Sequence, residues 1–173
     1  MIVFESERLT IRTLEPIDLA QFRELLTDPE IVCLIPQPPY QEDEIGAIFE
    51  PNVSVTIVDF SKPSLIWGIY EKGKTELIGI CGLLTNDEND RELAYRFRVK
   101  YWRKGFATEV TKRFIEFCFH KLEMEKLTAD VYVKNIGSVK ILEKLMSPVK
   151  EFFNEKDNCT DRRYAVNRAT LFE

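Results

Sequence analysis

The stretch Phe97-Arg98-Val99-Lys100-Tyr101-Trp102-Arg103-Lys104-Gly105-Phe106-Ala107-Thr108-Glu109 constrains this chain more than any other. It reads as the end of a strand, a short basic loop with a single glycine, and the start of a helix. The first N–H groups of a helix have no partner within it, and the positive end of its dipole lies at the same place. Gly105 lets backbone approach closely, Ala107 keeps the first turn slim, and Arg103 and Lys104 add positive charge. A pyrophosphate meets these conditions. Taken alone, the pattern describes an ordinary strand-to-helix connection with a solvated basic turn equally well, so its neighbours have to decide.

Alternation of Leu9 and Ile11 with Thr10 and Arg12 predicts a first strand over Arg8 to Thr13. Leu19, Phe22, Leu25 and Leu26 recur at helical spacing between Pro16 and Asp28-Pro29. Pro36, Pro38 and Pro39 make the next segment a loop. Gln41 to Glu50 reads as a short amphipathic helix, and Val53, Val55 and Ile57 alternate like an edge strand. Leu65–Tyr70 and Leu77–Leu84 form a hairpin around Gly73, and Glu92–Val99 completes a three-stranded meander. The longest helix is expected over Thr108–Leu122, then a strand over Lys126–Val133 and a helix over Gly137–Leu145, ended by Ser147-Pro148. Two strands, Val149–Phe153 and Arg163–Leu171, close the chain. Strands and helices in this order imply one α+β domain over residues 1–173, without repeat or linker.

At 173 residues the chain is long enough to bury a core of its own. Its 24 Lys and Arg against 29 Asp and Glu leave a net charge of -5, which disfavours nucleic acid and suits a cationic partner. Four scattered cysteines and a lone histidine, His120, point to neither disulfides nor a metal site. Acidic residues within the first positions and the lack of a long apolar run leave no secretion signal or membrane span, so a cytoplasmic protein is expected.

The loop-helix segment resembles the acetyl-CoA-binding motif of the GNAT (GCN-five-related) N-acetyltransferase superfamily, R/Q-x-x-G-x-G/A, with Trp102, Gly105 and Ala107 at its first, fourth and sixth positions. Tryptophan in that place is similar to the RimJ/RimL-like branch of ribosomal-protein N-acetyltransferases. Glu7-Arg8-Leu9-Thr10-Ile11-Arg12 resembles that branch's opening strand, and Leu77-Ile78-Gly79-Ile80-Cys81-Gly82 its third. Glu92-Leu93-Ala94-Tyr95 resembles its E-x-G-Y strand, and Asn135-Ile136-Gly137-Ser138 with Ile141–Leu145 its N-x-x-S…LEKLGF block. Arg103 for the second-position glycine, Ala94 for the glycine of E-x-G-Y, and Met146-Ser147 for Gly-Phe depart from it.

The resemblance implies the GNAT fold: a mixed, mostly antiparallel sheet of six to seven strands with about four flanking helices, its fourth and fifth strands splayed. It implies acetyl-CoA as co-substrate, held along Phe97, Arg98, Val99, Trp102, Arg103, Lys104, Gly105, Phe106, Ala107 and Thr108, with Asn135 and Ser138 beside it. Backbone at Phe97 and Val99 would pair with the pantetheine arm, as an added strand would. An alkylamine must lose a proton before it attacks a thioester, and Glu92 on the splayed strand is the expected base. Ser138 is the expected proton donor to the departing thiolate, with helix capping as its other reading. Tyr164 is a second donor candidate and reads better as core. Asn135 contacts the cofactor or closes the turn, His120 is structural, and Cys81 and Cys118 are buried and inert. The reaction expected is acetyl transfer to a primary amine, of a small molecule or a protein N-terminus, by a monomer or homodimer; the alternative is a non-catalytic acetyl-CoA-binding module.

Overall fold

The computed structural model describes residues 1–38 and 40–171. Eight strands form one sheet, in spatial order β1 (Ile2–Glu5), β2 (Leu9–Arg12), β3 (Leu65–Glu71), β4 (Leu77–Thr85), β5 (Arg91–Phe97), β6 (Lys126–Tyr132), β8 (Cys159–Asn167) and β7 (Ser147–Asn154). Neighbours are antiparallel except β5 and β6, which run parallel and pair at a single register, Glu92 with Thr128. The sheet therefore forks between them, as expected. Helices α1 (Leu19–Thr27), α2 (Pro29–Val32) and α3 (Glu42–Phe49) lie between β2 and β3 in sequence. Helix α4 (Phe106–His120) joins β5 to β6, and α5 (Ile136–Leu145) joins β6 to β7.

Both faces of the sheet are covered, which explains why β3 and β4 are continuous apolar runs rather than alternating ones. On one face Trp67, Leu83 and Phe97 pack with Phe114 and Cys118 of α4; on the other Tyr70, Leu77 and Ile80 pack with Phe22 and Leu25 of α1. Full burial of a side chain such as Phe114 contributes roughly 1.5–3 kcal/mol.

Four sequence expectations need correction. The strand over Val53, Val55 and Ile57 does not form: only an isolated bridge joins Leu14 to Val53, and Ser54 turns left-handed at φ 53°. The Asn52 side chain takes the place of a strand there, since its Oδ1 accepts the Ile66 N–H at 3.0 Å. The first strand is β1, not the Leu9–Arg12 strand, so the sheet has eight strands rather than six to seven. Four residues are too few for a period to register, yet Phe4 stacks on Phe117 with ring centroids 4.9 Å apart. The longest helix starts at Phe106, two residues before Thr108, because Gly105 caps it. The last strand stops at Asn167, and Arg168–Leu171 coil into a 3-10 turn.

Candidate active site

The fork leaves two cavities, one on each side of it. The first, about 580 Å³, runs from the N-terminus of α4 to that of α5, between Trp102, Gly105 and Thr108 on one wall and Lys134, Gly137 and Ile141 on the other. Three basic side chains line it, Arg96, Arg103 and Lys134, and no carboxylate does. The second, about 650 Å³, lies under the loop before α3 and between β5 and β6, with six carboxylates against two basic side chains. Tyr95, Arg96, Asn135 and Ser138 belong to both walls, so the two volumes meet there. One side suits an anion and the other a cation.

At the mouth of the basic cavity, Gly105 caps α4 in the left-handed region at φ 80°, and no side chain caps the helix. The first-turn N–H groups therefore remain available to a ligand. A Cβ at Gly105 would sit 3.4 Å from Arg8 Nη2, in a backbone conformation that side chains disfavour. Arg103 is itself left-handed, at φ 59°, which is the physical reason a glycine suits that place. Arg8 holds the loop from outside: Nη1 donates to the Lys104 carbonyl at 3.1 Å and Nε to Glu109 Oε2 at 2.7 Å.

In the acidic cavity, Glu92 lies half-buried at the fork. Its carboxyl is pushed up to about 8, first by burial and then by the nearby charge of Asp130, while the Asp130 N–H and Arg163 pull weakly the other way. Arg163 is buried and ion-paired with Asp130 at 2.7 Å and Asp87 at 2.5 Å, which gives those two carboxylates a cationic partner on this wall. A carboxyl that titrates near neutrality, on the wall of an acidic cavity, is suited to accept a proton from an arriving ammonium.

A family profile described as Acetyltransferase (GNAT) domain matches residues 8–145. The chain belongs to the GNAT acetyltransferase family. It is 30% identical over 147 residues to the uncharacterised N-acetyltransferase p20 of Bacillus licheniformis, covering 81% of this chain and 79% of that one. Among solved structures it superposes on a GNAT acetyltransferase from Bacillus anthracis with TM-score 0.79 and 20% identity, covering 98% and 99% of the two chains. It also superposes on the spermidine N-acetyltransferase of Vibrio cholerae, crystallised with CoA and spermine, with TM-score 0.78, 21% identity and coverage of 96% and 99%. At such identities these structures speak for the fold. Acetyl-CoA is the family's acetyl donor, and the open N–H groups, basic lining and lack of carboxylates in the first cavity fit its diphosphate.

Of the residues that the GNAT motifs single out, Phe97, Trp102, Arg103, Gly105, Phe106, Ala107, Thr108, Asn135 and Ser138 come together around the first cavity, and Glu92 lines the second. Arg98, Val99 and Lys104 do not join them. Arg98 is buried in a network with Glu24 at 2.9 Å, Glu76 at 2.7 Å and the Leu77 carbonyl at 3.1 Å. Val99 has left the strand for a 3-10 turn, its carbonyl accepting the Trp102 N–H, and the Lys104 ammonium lies over the Tyr101 ring at 5.0 Å. The β5 edge thus ends at Phe97.

Asn135 closes the turn: its Oδ1 accepts the Ser138 N–H at 3.2 Å, and its Nδ2 donates to the Leu34 carbonyl at 3.2 Å. The cap of α5 is therefore Asn135, and the Ser138 hydroxyl is not committed to it. Tyr164 is fully buried outside both cavities, within reach of Arg162 and Glu143. His120 lies at the exposed end of α4, away from both. Burial pushes the Cys81 thiol up and Cys118 up to about 12, so both are inert. Sequence reasoning assigned no role to Tyr95, whose hydroxyl lies beside Ser138 and Thr111 and is raised by burial, nor to Arg96. The alternation of β5 was the available signal, since Glu92 and Arg96 are four residues apart and share a face.

Proposed function

We propose that this chain transfers the acetyl group of acetyl-CoA to a primary amine by direct attack in a ternary complex, with Glu92 as base and Ser138 as acid. The observation that carries this reading is the wall formed by Tyr95, Arg96, Asn135 and Ser138, where a basic, carboxylate-free cavity meets an acidic one. Acetyl-CoA supplies an activated acyl group when bound. The chain's part is to hold the diphosphate at Gly105 and the first turn of α4, to draw an ammonium into the acidic cavity, and to take its proton at Glu92. Ser138 stands where both cavities meet and can donate to a departing thiolate, with Tyr95 next to it.

A protein that only held acetyl-CoA would need the first cavity alone; the acidic cavity supports turnover. Relatives in structure include proteins named for spermidine and for the N-terminus of ribosomal L7/L12, the latter at 11% identity, so the acceptor and the RimJ/RimL-like branch rest on this chain's own motifs. No helix among the described residues is long and apolar enough to cross a membrane. The test is thiol release from acetyl-CoA with a panel of primary amines, alongside thermal denaturation with and without acetyl-CoA. Release above the amine-free rate and a raised Tm support the reading. An unmoved Tm at millimolar acetyl-CoA sinks it.

A further inference from the structure

Buried polar atoms without a well-formed hydrogen bond are few among the described residues, and four of the seven belong to side chains on the wall of the acidic cavity. They are Gln37 Nε2, Arg96 Nη1, Tyr95 Oη and Asp157 Oδ1. Desolvated donors and acceptors of this kind are retained where something else satisfies them. Two are donors held side by side, because Arg96 Nη2 donates to Gln37 Oε1 at 3.0 Å, leaving Arg96 Nη1 and Gln37 Nε2 without an acceptor. Burial lowers the affinity of Arg96 for its proton, and Tyr40, through its charge and a side-chain hydrogen bond, and Asp157 offset it. A guanidinium so desolvated, with no carboxylate bound to it, is a seat for an oxygen.

That seat is out of place in a cavity meant only for a cation. Glu92, Asp157 and Asp161 already provide for an ammonium, and a bare alkylamine or polyamine would bring nothing for Arg96 and Gln37 to donate to. On β5 the two functions are spaced on one face: four residues of strand put Glu92 and Arg96 about 13 Å apart at their Cα atoms, and the guanidinium's reach shortens that gap.

We propose that Arg96 and Gln37 select amine acceptors that also carry an acyl oxygen, as amino acids and peptide N-termini do, by taking that oxygen while the ammonium faces Glu92 and Asp157. The proposal rests on the acetyltransferase reading and narrows its acceptor. It agrees with the acid-base match: an α-amine of a peptide titrates near ~8, close to Glu92 at about 8, whereas an alkylamine lies about two units higher and gives up its proton less readily. The loop that carries Gln37 is tied to α5 through the Leu34 carbonyl and Asn135, so the oxygen seat and the wall shared with the first cavity are positioned together.

The test compares alanine and alanyl-alanine with butylamine and spermidine, by kcat/KM for thiol release. Wild type should prefer alanine or the dipeptide to both oxygen-free amines, and which of the two is preferred separates a free carboxylate from a peptide carbonyl. Arg96→Met should lower the ratio of dipeptide to butylamine kcat/KM by roughly tenfold or more, the worth of a charged hydrogen bond, and Gln37→Leu should lower it less. Should Arg96→Met fail to fold, the Gln37→Leu ratio decides. A preference for butylamine or spermidine, or an unmoved ratio in the variants, overturns the proposal while leaving acetyl transfer itself intact. If no amine is turned over but acetyl-CoA still raises Tm, dipeptide binding to the CoA complex is read by a further Tm shift: a shift lost in Gln37→Leu supports the oxygen seat, and none in wild type sinks it.

Discussion

Glu92 stands opposite Thr128 at the one register where β5 and β6 pair, so the proposed base sits at the vertex of the fork. The buried Thr128 hydroxyl donates to the Arg91 carbonyl at 3.0 Å and accepts from Asn86 Nδ2 at 3.2 Å, bonding one strand to the other where the ladder ends. Thr128→Val keeps the shape and orphans both partners, which costs about 1–3 kcal/mol. The expected result is a lower Tm and a kcat reduced about tenfold by misplacement of Glu92, with KM for acetyl-CoA little changed. Thermal denaturation and steady-state kinetics check both; a stability loss without a kcat loss would separate Thr128 from catalysis.

Gly105→Glu places bulk and a negative charge where the first-turn N–H groups of α4 are open. Its φ of 80° adds strain, since side chains disfavour that region. The variant should fold with a reduced Tm, retain its far-UV circular dichroism, and lose the Tm gain that acetyl-CoA gives the wild type. A retained gain would move the diphosphate away from this loop.

The meander, the long α4 and the strand after it were legible because their apolar periods run for seven residues or more, and the fork was legible only through the motifs on either side of it. β1 and the residues around Val53 were not, for different reasons. β1 is too short to show a period, and it is held by Phe4 against α4, more than a hundred residues away; alternation at Val53 was overruled by the Asn52 side chain occupying Ile66. A similar separation hides Arg8, whose contacts to Lys104 and Glu109 span 96 and 101 positions. Arg98 was read among the residues along the cofactor, and the ion pairs that hold its charge, to Glu24 and Glu76, lie at distances in sequence that no motif shows.

Arg103 carries a side chain at φ 59°, where the family motif has glycine. Arg103→Gly removes a left-handed strain worth about 1 kcal/mol, so Tm should rise by a few degrees unless the freed backbone offsets it. The lost charge should weaken acetyl-CoA binding several-fold at low salt, and the difference from wild type should shrink as ionic strength rises. Titration of acetyl-CoA at two salt concentrations checks this. A salt-independent loss would mean a direct hydrogen bond rather than a field effect.

Ser138→Ala tests the thiolate acid cleanly, because Asn135 caps α5 through the backbone N–H of residue 138 and alanine preserves it. Tm should stay within the small range of a surface substitution while kcat falls by about tenfold or more. Tyr95→Phe removes the hydroxyl beside it and, if that hydroxyl supplies the proton through Ser138, should give a similar kcat loss that does not add to the first. Tyr164→Phe should change stability rather than kcat, since its hydroxyl meets Arg162 and Glu143 outside both cavities.

Glu92→Gln keeps the shape of the side chain and removes the base. Turnover at pH 7 should fall roughly a hundredfold, within the range for general-base catalysis, with acetyl-CoA affinity little changed. With Glu92 pushed up to about 8, about a tenth of it is ionised at pH 7 in the empty site, so the wild-type rate should climb until pH about 8. Above that the wild type levels off and the variant continues to gain as more amine arrives neutral, so the gap narrows. Stability should move oppositely to activity. A carboxyl whose folded value is raised keeps its stabilising share below its ordinary value of 4.5 and loses it progressively up to about 8, because the unfolded chain ionises first. Glutamine does not titrate, so the Tm of Glu92→Gln relative to wild type should rise across that window and be highest above pH 8. Kinetics and thermal denaturation between pH 5 and 9 check both halves. A normal rate at pH 7 would leave proximity or another base to account for the reaction, and a Tm difference independent of pH would mean that Glu92 is not held above its ordinary value.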